Sequence, residues 1–188
     1  MTIIVNLFGG PGSGKSTSAA GIFSALKRES ISCELVTEYA KEVVWSENTS
    51  LLDDQKHIFD VQFERQRRLV GKVDYVITDS PILLSVVYYK RRMKALNQEL
   101  NEYHQMMLDY FKSTFSIFSN MNWLINRAKP YQQVGRVQSE EEAKKIDDEI
   151  LTALSEMDML FNLSETDSMI AIDDVVAAIK QHEQVKRY

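Results

Sequence analysis

Phe8-Gly9-Gly10-Pro11-Gly12-Ser13-Gly14-Lys15-Ser16-Thr17 is the stretch that decides the fold. From Gly9 to Ser16 it reads G-x-x-x-x-G-K-[ST], the spacing of a phosphate-binding loop. Its surroundings agree. Ile3-Ile4-Val5-Asn6-Leu7-Phe8 is a short apolar run rich in β-branched residues, as a buried strand requires. After the loop, Ala20, Phe23 and Leu26 recur at helical spacing. The glycines let successive backbone N–H groups turn inward as an anion nest, and the helix that follows adds the positive end of its dipole. Gly9 to Thr17 are therefore the expected nucleotide contacts. Lys15 is placed to reach the β- and γ-phosphates, and the Ser16 hydroxyl to ligate Mg²⁺.

Composition narrows the class. The 188 residues are 44% hydrophobic and 26% charged, the balance of a soluble globular protein, and one domain spanning 1–188 is expected. A net charge of -5 and a pI of about 5.3 argue against broad electrostatic binding to nucleic acid. Cys33 is the only cysteine, which excludes an internal disulfide and fits a reduced, cytoplasmic setting. The longest apolar run, Ile82 to Tyr89, is broken by Ser85 and too short to span a bilayer. Glycine and proline number seven and three, and four of the glycines lie in the loop, which favours long helices over a turn-rich β fold.

Outward from the loop, strands and helices alternate. Ile31 to Thr37 reads as a second strand ending at Glu38. Leu51/Leu52, Gln55, Ile58/Phe59, Gln62/Phe63, Gln66 and Leu69/Val70 mark a helix, with Asp53 or Asp54 at its start and Gly71 at its stop. Asp74 to Thr78 is a third strand running into Asp79. A long helix is expected from Leu96 through Leu100, Tyr103, Met107 and Phe111 to Phe118. Trp123 to Asn126 is a fourth strand. Residues 127–139 are polar, basic and interrupted by Pro130 and Gly135, the make-up of a mobile lid. Ser139 and Glu142 have capping-box spacing for a helix to about Glu156. Met159 to Leu163 is a weaker fifth strand, and a last helix lies between about Thr166 and Lys186.

This alternation implies an α/β three-layer sandwich, about five parallel strands with helices on both faces. Ligands in such sheets bind beyond the carboxyl ends of the strands. Those ends carry the phosphate loop, Glu38, Asp79 and Arg127. Phosphoryl transfer needs charge neutralisation, alignment and a proton acceptor. Asp79, following an apolar strand, is placed to hold Mg²⁺ with Ser16; Glu38 is placed to take the proton of a substrate hydroxyl. Arg127, Lys129 and Arg136 are the expected charge clamps of the lid.

With these residues assembled, the chain resembles P-loop kinases of the nucleoside/nucleotide type. Thr37-Glu38-Tyr39-Ala40-Lys41, Val76-Ile77-Thr78-Asp79-Ser80-Pro81 and Arg127-Ala128-Lys129-Pro130-Tyr131 follow the phosphate loop in an order similar to that of small bacteriophage kinases. Among these it looks most like 5-hydroxymethyluridine DNA kinases, which are related to thymidylate kinases. The Glu-Tyr-Ala stretch is also similar to the kinase domain of ribosylnicotinamide kinases. The resemblance implies ATP and Mg²⁺ as cofactors, Lys15, Glu38, Asp79, Arg127 and Arg136 as catalytic residues, and a location in the host cytoplasm if the chain is of phage origin. It implies γ-phosphate transfer to the hydroxyl of a nucleoside-type acceptor, 5-hydroxymethyluracil in DNA being one candidate and ribosylnicotinamide or another small metabolite the alternative. A regulatory NTPase without an acceptor is the reading from another class. Such kinases usually carry an arginine directly after the third-strand carboxylate. This chain has Ser80, which favours a neutral hydroxyl acceptor over a monophosphate.

Overall fold

The computed structural model describes residues 2–117, 119–132, 134, 138–159 and 163–186. Five parallel strands, β1 (Ile3–Phe8), β2 (Cys33–Val36), β3 (Tyr75–Thr78), β4 (Ser119–Asn126) and β5 (Leu163–Asp167), form one sheet in the order β2-β3-β1-β4-β5. The helices among the described residues are α1 (Lys15–Arg28), α2 (Tyr39–Trp45), α3 (Gln55–Arg67), α4 (Ile82–Ala95), α5 (Glu102–Ile117), α6 (Glu140–Glu156) and α7 (Ala171–Val185). The three-layer α/β sandwich read from the sequence is the fold observed.

Side-chain alternation along β1 divides the core. Ile3, Val5 and Leu7 point to one face, where Ile22 and Leu26 of α1 and Val175 and Ile179 of α7 cover them. Phe8 points to the other, joining Leu83 of α4, Met107 of α5 and Ile146 and Ile150 of α6. Burying each such aliphatic side chain stabilises the fold by about 1.5–3 kcal/mol. Because β1 is hydrogen-bonded on both sides and covered on both faces, the turn at its carboxyl end hangs from a strand fixed on every side.

One helix appears that the sequence reading did not mark, and two expectations are corrected. Ile82 to Tyr89 opens a helix, α4, and nearly every residue of that run is buried. A helix covered on all sides has no apolar stripe, so periodicity cannot reveal it. The helix expected from Leu96 starts only at Glu102. Ahead of it, α4 ends in a Schellman turn: Asn97 is left-handed (φ 54°), its N–H bonds to the Lys94 carbonyl and the Gln98 N–H to the Met93 carbonyl. Phe118, its expected end, lies outside the described residues. The fifth strand is described as Leu163–Asp167 and so continues past the expected end at Leu163; of the expected 159–163, residues 160–162 lie outside the described residues, and α7 begins at Ala171. The capping box at Ser139 and Glu142 forms as expected, with both reciprocal bonds present.

Candidate active site

The loop after β1 is shaped by backbone that only glycine adopts readily: Gly12 has φ 74° and Gly14 φ 102°. It delivers Lys15, Ser16 and Thr17 to the N-terminus of α1. Lys15 is buried and donates from Nζ to the Gly10 carbonyl at 2.8 Å. Burial lowers its pKa from the usual lysine range, while the negative charges of Glu38, Asp79 and Asp147 oppose that fall and Arg127 adds to it. The ammonium thus lies within the field of both predicted strand-end carboxylates.

Glu38 is the N-cap residue of α2, and Asp79 follows β3. Asp79 is buried, and its Oδ1 has no hydrogen-bond partner among the described residues. Ser16 lies exposed in the first turn of α1. A buried acceptor-only oxygen without a donor calls for a cation or its water. Among the described residues there is no group of three or more His, Cys, Asp or Glu side chains to cage a metal. One carboxylate and one hydroxyl therefore suit Mg²⁺, which keeps most of its shell as water and phosphate oxygen.

Arg127 behaves differently from a free lid cation. It donates to the Pro11 carbonyl at 2.6 Å and to Asp147 at 2.7 Å, and its guanidinium stacks over Tyr131. Asp147, on α6, also accepts from the Gly10 N–H. A Cβ on Gly10 would fall 2.6 Å from Asp147 Oδ1 and 2.7 Å from the Ala143 carbonyl, so a glycine here lets α6 press against the loop. The expected lid is thereby pinched at its base, β4 on one side and α6 on the other, against the phosphate loop. Its described residues, 127–132, 134, 138 and 139, contain no helix or strand, and Tyr131 donates to the Gln138 carbonyl at 2.6 Å. Arg136 lies outside the described residues.

A cleft of about 300 Å³ runs from Pro11, Gly12, Gly14 and Lys15 past Glu38 and Ser80 to a wall of Val44, Trp45, Leu52, Ile58, Leu84 and Tyr88. Lys41 is the one cation besides Lys15 among the described residues that line it. Burial and the nearby Glu38 charge hold the Tyr88 phenol well above its ordinary pKa, so it stays protonated. The sequence reading missed Asp147, Trp45 and Tyr88. For Asp147 a signal existed: it lies four residues after Ala143 and three before Ile150, a charge on a buried stripe that must find a partner.

The basic runs of α3 and α4, which a polynucleotide would need as a positive face, are largely neutralised. Arg65 forms a two-pronged pair with Glu42 at 2.6 and 2.7 Å, and Arg67 pairs with Glu64. Lys90, Arg91 and Arg92 face Glu156, Glu149 and Asp53. No described helix is long and apolar enough to cross a membrane.

Residues 4–168 match the family described as an AAA domain. The chain belongs to that family. No curated protein matches it. Among solved structures, the AAA-domain chain shares its fold with the NadR protein in complex with NAD and AMP-PNP: 20% identity, TM-score 0.64, covering 93% of this chain and 48% of that one. A NadR protein in complex with NR gives 18% identity and TM-score 0.69, over 96% and 51%. Deoxyadenosine kinase from M. mycoides, with products dCMP and dCDP, gives 13% identity and TM-score 0.60, over 97% and 99%. The chain therefore spans about half the length of the NadR chains and nearly all of the deoxyadenosine kinase.

Proposed function

We propose that this AAA-domain chain is an ATP- and Mg²⁺-dependent kinase that phosphorylates the hydroxyl of a small, neutral, nucleoside-type acceptor. The observation that carries this reading is the cleft itself, which joins the phosphate loop, Glu38 and an aromatic wall in one space. Its volume, about 300 Å³, suits a single ring system with its sugar. The loop N–H groups and Lys15 grip the triphosphate, and Asp79 with Ser16 holds Mg²⁺, which supplies charge neutralisation at the phosphates. Glu38 accepts the hydroxyl proton as the acceptor oxygen attacks the γ-phosphorus, the bond from that phosphorus to the β,γ-bridging oxygen breaks, and ADP leaves. Arg127, already oriented by Asp147 and Tyr131, steadies the charge that builds up on the phosphoryl oxygens. The neighbours support the chemistry in kind: one was solved with AMP-PNP and another is a deoxyadenosine kinase.

Ser80 in the cleft wall, where an arginine would serve a monophosphate, favours a neutral acceptor. The paired cations of 65–67 and 90–92 weigh against 5-hydroxymethyluracil within DNA. The test is incubation with γ-labelled ATP and Mg²⁺ beside ribosylnicotinamide, free nucleosides including 5-hydroxymethyldeoxyuridine, nucleoside monophosphates and hydroxymethyluracil DNA. Label is expected on a free nucleoside-type molecule, with transfer lost in Glu38→Gln while MgATP still binds. Label confined to DNA, or appearing only as inorganic phosphate, refutes the reading in favour of a polynucleotide kinase or a regulatory NTPase.

A further inference from the structure

Helix α3 carries two buried glutamines one turn apart, Gln62 and Gln66, 1% and 2% exposed. Neither lines the cleft. The Gln62 amide is held at both ends: its Oε1 accepts from the Tyr39 N–H at 3.0 Å and its Nε2 donates to the Thr37 carbonyl at 3.4 Å. Those are the peptide groups on either side of Glu38. A primary amide has the donor and acceptor of a peptide unit, so Gln62 acts as a one-residue strand partner that straddles the Glu38 corner. Only one of its two flips satisfies both bonds, which fixes the orientation. One turn on, Gln66 Nε2 donates to the Ser80 carbonyl at 3.2 Å, immediately after Asp79. The Ser80 N–H is taken by Thr78 Oγ1 at 3.1 Å, so that turn is tied from two sides. A single helical face thus fixes the corners that bear both acids of the site.

We propose that Gln62 and Gln66 are positioning residues: α3 is a brace that sets Glu38 and Asp79 at a fixed separation above the phosphate loop. This rests on the reading of Glu38 as the general base. Two satisfied core amides with no catalytic consequence would affect stability alone. A brace affects turnover, because displacing a reacting group by about 1 Å costs up to a hundredfold in rate.

The experiment compares Gln62→Met, Gln66→Met, Glu38→Gln and the double variant Glu38→Gln/Gln62→Met. It reads kcat, both KM values, MgATP affinity by calorimetry and melting temperature. Gln62→Met is expected to bind MgATP within about twofold of wild type and to lose at least about tenfold in kcat. The double variant is expected to be no slower than Glu38→Gln, since the two act as one unit. Gln66→Met is expected to lose kcat in the same way and carries the test alone if Gln62→Met does not fold. A folded glutamine variant with wild-type kcat, or a double variant in which the two losses multiply, overturns the brace. Glu38→Gln with wild-type kcat overturns the general base and the brace together. A crippled Glu38→Gln beside an unimpaired Gln62→Met overturns the brace alone.

Discussion

Replacing Asp147 by alanine probes the contact that holds the lid base to the phosphate loop. The substitution removes two hydrogen bonds to a carboxylate, one from the Gly10 N–H and one from Arg127, in an ion pair whose side chains are 11% (Arg127) and 29% (Asp147) exposed. Bonds to charged groups contribute about 1.5–3 kcal/mol each when shielded. Water reaching the vacated carboxylate position resolvates Arg127 and the Gly10 N–H in part, leaving a net loss of about 2 kcal/mol. For a chain of this size each kcal/mol shifts the melting temperature by about 2–4 °C, so Asp147→Ala is expected to melt about 4–8 °C below wild type. Circular dichroism or scanning calorimetry measures the shift. A cycle with Arg127→Met and the double variant should return a coupling of about 1 kcal/mol. Melting within about 1 °C of wild type, or no coupling, would show that α6 and the loop are held together by apolar packing alone.

The Cβ that Gly10→Ala would bring meets the Ala143 carbonyl as well as Asp147, so backbone has to move; a loss of about 1–3 kcal/mol is expected, and unchanged stability would show that α6 is free to give way. Lys15→Met tests burial of the ammonium. Folding lowers the Lys15 pKa, so the folded state disfavours its charge: below the folded pKa this cost is fully present, and wild-type stability rises as pH climbs from there toward 10.5, where the unfolded chain holds the extra proton. Without nucleotide, Lys15→Met is therefore expected to melt at or above the wild-type temperature at pH 7, with any gain shrinking at alkaline pH, while MgATP binding is lost. A lower melting point at pH 7 with a pH-independent gap would show that the Lys15 bond to Gly10 outweighs desolvation.

The parts of this molecule that were legible in its sequence are those governed by neighbours in the chain. The apolar β1 run, the glycine spacing and the first turns of α1 are contiguous, and so is the Ser139–Glu142 capping box. The candidate residues Glu38, Asp79 and Arg127 could be assigned to one rim of the sheet because each lies at or just beyond the end of a recognisable strand. What escaped is set by distant contacts. Asp147 meets Gly10 across most of the chain, and no local pattern encodes that meeting. Gln62 and Gln66 were legible only as positions of the helical repeat, and their partners, Thr37, Tyr39 and Ser80, become visible only once β2 and β3 lie side by side. The first half of helix α4 was hidden by being buried all round. The strand Leu-Ser-Glu-Thr-Asp was hidden because an edge strand tolerates polar residues that a central strand does not.

The position of β1 at the middle of the sheet also sets a timetable for biosynthesis. Residues 3–8 leave the ribosome before their ladder partners, residues 75–78 on one side and 119–124 on the other. Until the second of these is translated, the strand bearing the glycine turn keeps an open edge, and the nascent chain has no finished seat for a triphosphate. The strand that carries the phosphate loop is therefore locked only after segments translated well behind it have arrived.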